Sequence, residues 1–211
     1  AMNTWRDYMV SMGFGYQLGI DLPGEKRGMI PNAQYYDKAY RRSWNGLTII
    51  SISIGQGEVT ATPLQIANLG ATIANRGYFV TPHVVKEIEG ESIDSIYTTR
   101  RYAKVDKGHY EEVVQGMRSA VLGGTCRTAN IPELEICGKT GTAQNHGKDH
   151  SAFMGFAPMN NPKIAIAVYV ENGGWGATYG VPIGKLMIEK YLTGKLTAED
   201  EALATDIQNR R

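Results

Sequence analysis

The sequence predicts an α+β fold, an antiparallel sheet with helices. Three observations predict it. Strand-like runs cluster at 134–144, 151–157 and 163–170. Helical periodicity is confined to 62–76, 109–122 and 182–192. Glycine supplies 25 of 211 residues, about 12% against an ordinary value of ~7%, so tight turns and close backbone approaches are expected.

The elements follow in chain order. Ala1-Met2 sets a methionine behind a small residue, as at an appended start, and the chain reads as a piece of a longer protein. Residues 13–31 read as loop, because five glycines interrupt every period and Pro23-Gly24 is a turn signal. The β-branched run Leu47–Ile54, ending at Gly55-Gln56-Gly57, reads as a short strand or extended segment. The 62–76 helix has Thr62 as N-cap, Pro63 at its first position, Gln65 three residues after the cap and Gly77 as terminator. Residues 80–105 alternate weakly around Glu89-Gly90 and read as an exposed hairpin. The 109–122 helix places Val113, Met117, Ala120 and Val121 on one face and stops at Gly123-Gly124.

The 163–170 strand turns Ile164, Ile166, Val168 and Val170 one way and Ala165, Ala167 and Tyr169 the other, a pattern expected for a strand covered on both faces. Pro158–Pro162 joins it to the preceding strand as a hairpin turn. A last helix begins near Pro182 and ends at Gly194. It should cover one sheet face, with the two earlier helices in an adjoining lobe. The domain portion is expected over 1–194. The polar tail, 195–211, is left between a frayed helix and disorder.

Composition excludes several classes. With 42% hydrophobic and 20% charged residues the chain has enough apolar surface to build a core. A net charge of +1 gives no basic excess for nucleic acid. No run approaches the roughly 18 apolar residues of a membrane span, and no signal-peptide pattern is read. Cys126 and Cys137 read as free, core-type thiols, with a mutual disulfide as the alternative.

Chemistry concentrates in Gly138-Lys139-Thr140-Gly141-Thr142-Ala143-Gln144. A phosphate-binding loop would need glycine five positions before Gly138, where Glu133 stands, and a helix after the string, where another strand is expected. The other chemistry is active-site serine acyl transfer. Lys139 offers a cation to a substrate carboxylate and to nearby proton transfers. Thr140 and Thr142 offer hydroxyls. Gly141 leaves room for a substrate backbone on the strand edge. A backbone N–H at the end of the motif can hold an oxyanion.

Further segments stand in order around this string. They are Gly19-Ile20-Asp21-Leu22-Pro23-Gly24-Glu25, Ser53-Ile54-Gly55-Gln56-Gly57, Thr62-Pro63-Leu64-Gln65, Asp149-His150, Phe156-Ala157-Pro158 and Glu171-Asn172-Gly173-Gly174. On these motifs the chain resembles the C-terminal part of a class B penicillin-binding protein transpeptidase domain, most like the elongation-type members. The resemblance implies a partial serine β-lactamase-like fold whose first strands and nucleophile helix are missing. It implies a D,D-transpeptidase that cross-links peptidoglycan stem peptides through a serine acyl-enzyme and is acylated by β-lactams. Lys139 and Thr142 are then the catalytic residues, with the Thr142 backbone in the oxyanion hole. Thr140, Gly141, Thr142, Gln144 and His150 contact substrate. No cofactor or metal is implied. A membrane glycosyltransferase partner and the periplasmic face of the bacterial inner membrane are.

No serine in these residues is followed three positions later by lysine, so nucleophile and activating lysine are absent and the piece alone is expected to be inactive. Ser43-Trp44-Asn45 has the Ser-x-Asn form but stands after the Gly-Ile-Asp segment, the wrong order for the family, and reads as coincidence. A non-catalytic binding or scaffold module is the alternative. A serine β-lactamase shares Lys-Thr-Gly but fits the other segments poorly.

Remaining candidates are weaker. His146 and His150 are four apart, but in a loop without helical geometry. Asp149-His150 either orients the site edge or substrate or has a structural or solvated role. Gly13-Phe14-Gly15 and Gly55-Gln56-Gly57 are weak as nucleotide loops. Trp175 reads as packing over the glycine-rich turn, with a substrate-side aromatic as the alternative. Tyr35, Tyr36 and Tyr40 read as surface or partner contacts.

Overall fold

A computed structural model describes residues 2–40 and 44–210. The chain divides into two compact units. One holds the described residues up to Thr72 with Gly77–Asp106, the other Ile73–Arg76 with the described residues from Lys107 onward.

The first unit opens with helix α1 (Met2–Ser11) and continues with α2 (Ala33–Ala39) and α3 (Gly46–Ser53). Neither α1 nor α2 is foreseen in the sequence reading, although Met2, Trp5 and Met9 carry helical spacing. Buried Met2, Tyr36 and Ile52 form one cluster, with Trp5, Ile49 and Val59 packed against it. The 47–54 run is thus a helix, not a strand. The Asn45 side chain accepts from Leu47 N and caps it, and packing of Ile49 and Ile52 overrides the β propensity of the branched residues. Tyr36 is correspondingly not a surface residue. It is fully buried, and its hydroxyl donates to Glu58 together with that of Tyr40.

The Gly-Ile-Asp-Leu-Pro-Gly-Glu segment is held by its two acids. Glu25 accepts the amides of Leu18, Gly19 and Ile20, at 2.6, 3.0 and 3.3 Å. Asp21 accepts those of Val84 and Val85. Helix α4 (Pro63–Ala74) starts with the expected reciprocal cap. Gln65 N donates to Thr62 Oγ1 at 3.1 Å, and Thr62 N to Gln65 Oε1 at 3.0 Å. Gln65 Nε2 also reaches the carbonyls of Gly13, Tyr16 and Arg27 and so orders the glycine-rich loop. The expected 80–105 hairpin is reduced to its base. Strands β1 (Tyr78–Phe79) and β2 (Arg101–Tyr102) pair antiparallel, and between them there is only a bridge from Ile88 to Glu91 and one turn of 3₁₀-helix.

The second unit contains helix α5 (Gly108–Leu122), then strands β3 (Cys137–Ala143), β4 (His150–Ala157) and β5 (Ile164–Val170), then helices α6 (Gly180–Thr193) and α7 (Ala198–Asn209). The strands pair antiparallel in the order β3-β4-β5, as expected. Helix α6 packs on β4 and β5, but α5 packs on β3, within the sheet unit rather than in an adjoining lobe. Arg118 of α5 fixes this placement by donating to the Ile136 carbonyl at 2.9 Å.

Phe153 lies at the centre of the sheet core and explains much of the glycine excess. It is 1% exposed. A Cβ at Gly138 or Gly155 would come within 2.5 or 2.6 Å of its ring, and Gly184 of α6 meets the ring from above. Ile166, opposite Gly155, and Ile188 of α6 complete the cluster. On β5 the expectation of two covered faces fails, since Tyr169 is exposed and Ala165 and Ala167 are half-buried. Helix α6 starts two residues before Pro182, because Gly180 N donates to Ser151 Oγ at 3.0 Å and the chain turns there.

The 195–211 tail carries a capped helix. Thr197 Oγ1 accepts from Asp200 N, Lys185 of α6 pairs with Asp200 at 2.6 Å, and Glu189 accepts from Thr197 N.

Candidate active-site strand

Strand β3 presents Lys139, Thr140, Gly141 and Thr142 in sequence along one sheet edge. Its partner β4 lies on one side, and among the described residues no strand occupies the other. Such an edge offers alternate backbone N–H and C=O groups to an incoming extended chain. Side chains alternate, so Lys139 and Gly141 share the face of Cys137, while Thr140 and Thr142 share that of Gly138. Lys139 is exposed, and its ammonium donates to the Thr140 carbonyl at 2.8 Å. Thr140 Oγ1 is 3.0 Å from Thr125 Oγ1. Thr142 Oγ1 accepts from Gly176 N at 3.3 Å, which leaves its own proton to donate outward.

The segment after β5 braces this edge. Gly176 lies so close that a Cβ would stand 2.6 Å from both the Gly141 and Ala152 carbonyl oxygens. Buried Ser151, opposite Thr142, donates to the Trp175 carbonyl at 2.8 Å and accepts from Gly180. The sequence reading overlooked Ser151. Its signal was the strand alternation that puts it on the inward face two residues before Phe153.

Gln144 is exposed, one residue beyond β3. His150 opens β4 opposite Ala143. Its Nδ1 accepts from Asn172 N at 2.9 Å, and its ring lies 5.4 Å from that of Tyr169. In the neutral ring the proton is then on Nε2. The Asp149 carbonyl accepts from Gly174 N, tying the β3–β4 turn to the same segment. Trp175 does not pack over the glycines, for it is 75% exposed.

Other candidates fall away. β3 runs through a turn into β4, not into a helix, and Gly138 makes room for Phe153, so the string is no phosphate loop. Ser43 lies outside the described residues, Trp44 donates to Asp37, and Asn45 caps α3. Cys126 and Cys137 are buried and unpaired with each other, the free-thiol reading. Burial pushes the Cys137 thiol up to about 11 and the Cys126 thiol also upward, which suits inert core residues.

Residues 1–189 match the penicillin-binding protein transpeptidase domain. The chain belongs to this family. It is 39% identical over 199 residues to the peptidoglycan D,D-transpeptidase MrdA of Acinetobacter baumannii, covering 84% of the chain and 29% of that protein. It superposes on Pseudomonas aeruginosa PBP2, solved in complex with WCK 5153, with a TM-score of 0.81 and 36% identity over 94% of this chain and 45% of that one. Helicobacter pylori PBP2, solved in complex with MreC, aligns with a TM-score of 0.76 and 27% identity over 92% of this chain and 36% of that one. The likeness to PBP2-type members of the penicillin-binding protein family is the one read from the motifs. The chain spans about a third of the length of the curated relatives it matches.

Proposed function

We propose that this chain supplies the Lys-Thr-Gly wall of a serine D,D-transpeptidase that cross-links peptidoglycan stem peptides during cell elongation. The observation that carries the reading is the β3 edge, unpaired among the described residues, with Lys139, Thr140, Gly141 and Thr142 in line. A stem peptide or a β-lactam lies along this edge. Its carboxylate takes hydrogen bonds from the Thr140 and Thr142 hydroxyls, with Lys139 supplying positive charge. The Thr142 amide stabilises the oxyanion as the nucleophilic serine attacks the carbonyl. Gly141 leaves the backbone open to the substrate, and Gln144 and His150 border the peptide beyond the reacting bond. The reading places the serine, its activating lysine and the membrane anchor in sequence beyond these 211 residues, at the periplasmic face of the inner membrane. Names of the relatives, the PBP2–MreC complex among them, support work within the cell-wall machinery; the reading adds a membrane glycosyltransferase as partner.

The test is fluorescent penicillin labelling of the full-length protein, with the adduct mapped by peptide mass spectrometry and the 1–211 piece run alongside. Labelling on an upstream serine of a Ser-x-x-Lys, with the piece dark, is the expected result. A folded full-length protein that never labels would instead support a non-catalytic binding module, a reading with which the lack of Ser-x-x-Lys in these 211 residues is compatible.

A further inference from the structure

We propose that Trp175 and Lys148 form a subsite for an anionic residue of the acyl-donor peptide, three or four positions before its terminal residue. The inference rests on the transpeptidase reading and extends it along the peptide.

Trp175 has the most exposed large apolar side chain among the described residues, at 75%. An indole usually buries 150–250 Å² in a folded protein, so an open one calls for a partner. Its backbone is nevertheless fixed. The carbonyl accepts from Ser151 Oγ and from Thr178 N, and the next amide donates to Thr142 Oγ1. The ring is therefore presented by a rigid segment joined directly to the catalytic strand. In front of it lies an open cavity of about 500 Å³, walled by Lys148, Asn172, Gly174, Trp175 and Tyr179. Lys148 is the charged residue of that lining, and no carboxylate belongs to it.

Register decides which part of a peptide arrives there. A chain paired antiparallel with the β3 edge, its carboxylate at Thr140 and Thr142, runs back towards its N-terminus as β3 runs forward to Ala143. Each residue advances ~3.4 Å. With the terminal residue level with Thr140, the third before it is level with Ala143 and the fourth with Gln144. Beyond these lies the turn that carries Lys148, held to the Trp175 segment through the Gly174 N–H and the Asp149 carbonyl. The Lys148 ammonium then pairs with a carboxylate on that residue, and the indole covers its aliphatic part.

The experiment uses the full-length protein and two thioester peptide donors that differ only in a carboxylate or a carboxamide at that residue. Wild type should favour the carboxylate donor by about tenfold in kcat/KM, the span of one charge-assisted contact, and through KM. Lys148→Ala should abolish the preference and Lys148→Arg retain it, while Lys190→Ala on exposed α6 surface serves as the charge control. Trp175→Ala should raise KM for both donors without changing their ratio. Equal use of both donors by wild type and Lys148→Ala, in a protein that penicillin still acylates, overturns the subsite and leaves the transpeptidase reading intact. A wild-type protein that neither penicillin nor either donor acylates overturns both.

Discussion

The Thr142 hydroxyl accepts the Gly176 amide at 3.3 Å, and this one contact ties strand β3 to the segment after β5. With one lone pair engaged, the hydroxyl proton remains available to a further acceptor. The same contact explains why residue 176 has no side chain, since a Cβ would stand 2.6 Å from two carbonyl oxygens.

Thr142→Val in the full-length protein keeps the shape of the side chain and removes the donor. Penicillin acylation should slow by roughly 10- to 100-fold, the worth of a hydrogen bond to a charged group, while Tm changes little. Thr142→Ser should recover most of the rate. Stopped-flow acylation kinetics provide the check. An unaltered rate in the valine variant would remove Thr142 from the carboxylate site.

Gly138→Ala and Gly155→Ala each drive a methyl into the Phe153 ring. Both should destabilise the protein by about 1–3 kcal/mol through overpacking. Phe153→Ala opens the core instead and should cost about 3–5 kcal/mol. Denaturant titration of the variants measures these losses. A neutral Gly138→Ala would mean that this glycine serves the substrate rather than the core.

Docking of α7 on α6 should be strongest in a bounded pH window. Burial, and then the hydrogen bond shared with Asp200, raise the Glu189 carboxyl. Glu189 Oε2 is buried without a hydrogen-bond partner among the described residues, which penalises its charged form. Burial works to raise the Asp200 carboxyl too, but hydrogen bonds from Lys185 and Glu189 hold it below its usual range. A raised acid contributes stability below its unfolded pKa and loses it as pH rises through the folded value. A depressed acid contributes above its unfolded pKa and loses it as pH falls through the folded value. Hydrogen exchange of the α7 amides, corrected for intrinsic rate, should therefore slow between the two limits. Glu189→Gln should flatten the alkaline limb alone.

Neither thiol should react in the folded protein. Burial raises both, with Cys137 at about 11, so a thiol reagent at pH 8 should modify Cys126 and Cys137 only after denaturant unfolds the second unit. Rapid modification of the native protein would contradict the buried placement of both side chains.

Local chemistry was legible wherever neighbours in sequence are also neighbours in space. Thr62 and Gln65 cap α4 across three residues. The alternation of Ile164, Ile166 and Val168 follows the pleat of β5, and the Lys139–Thr142 string declares its strand without help from the rest of the chain. What depended on distant partners was not legible. The Ile49–Ile52 run has strand-like composition and becomes a helix because Met2 and Tyr36 offer it a core. Tyr36 is buried because Glu58, 22 residues away, accepts a hydrogen bond from its hydroxyl. Helix α5 has an ordinary amphipathic stripe, and only its packing on β3 assigns it to the sheet. Ser151 and Gly176 look unremarkable in sequence, yet they fasten the Trp175 segment to β3 and β4. The sequence by itself thus determined the caps, the strand periodicity and the chemistry of the Lys-Thr-Gly string, all set by bonding and side-chain geometry within a few residues. Only the tertiary structure decided which edge that string occupies, which remote groups its hydroxyls meet and that Trp175 stands open, because those depend on contacts that exist only once remote segments have packed.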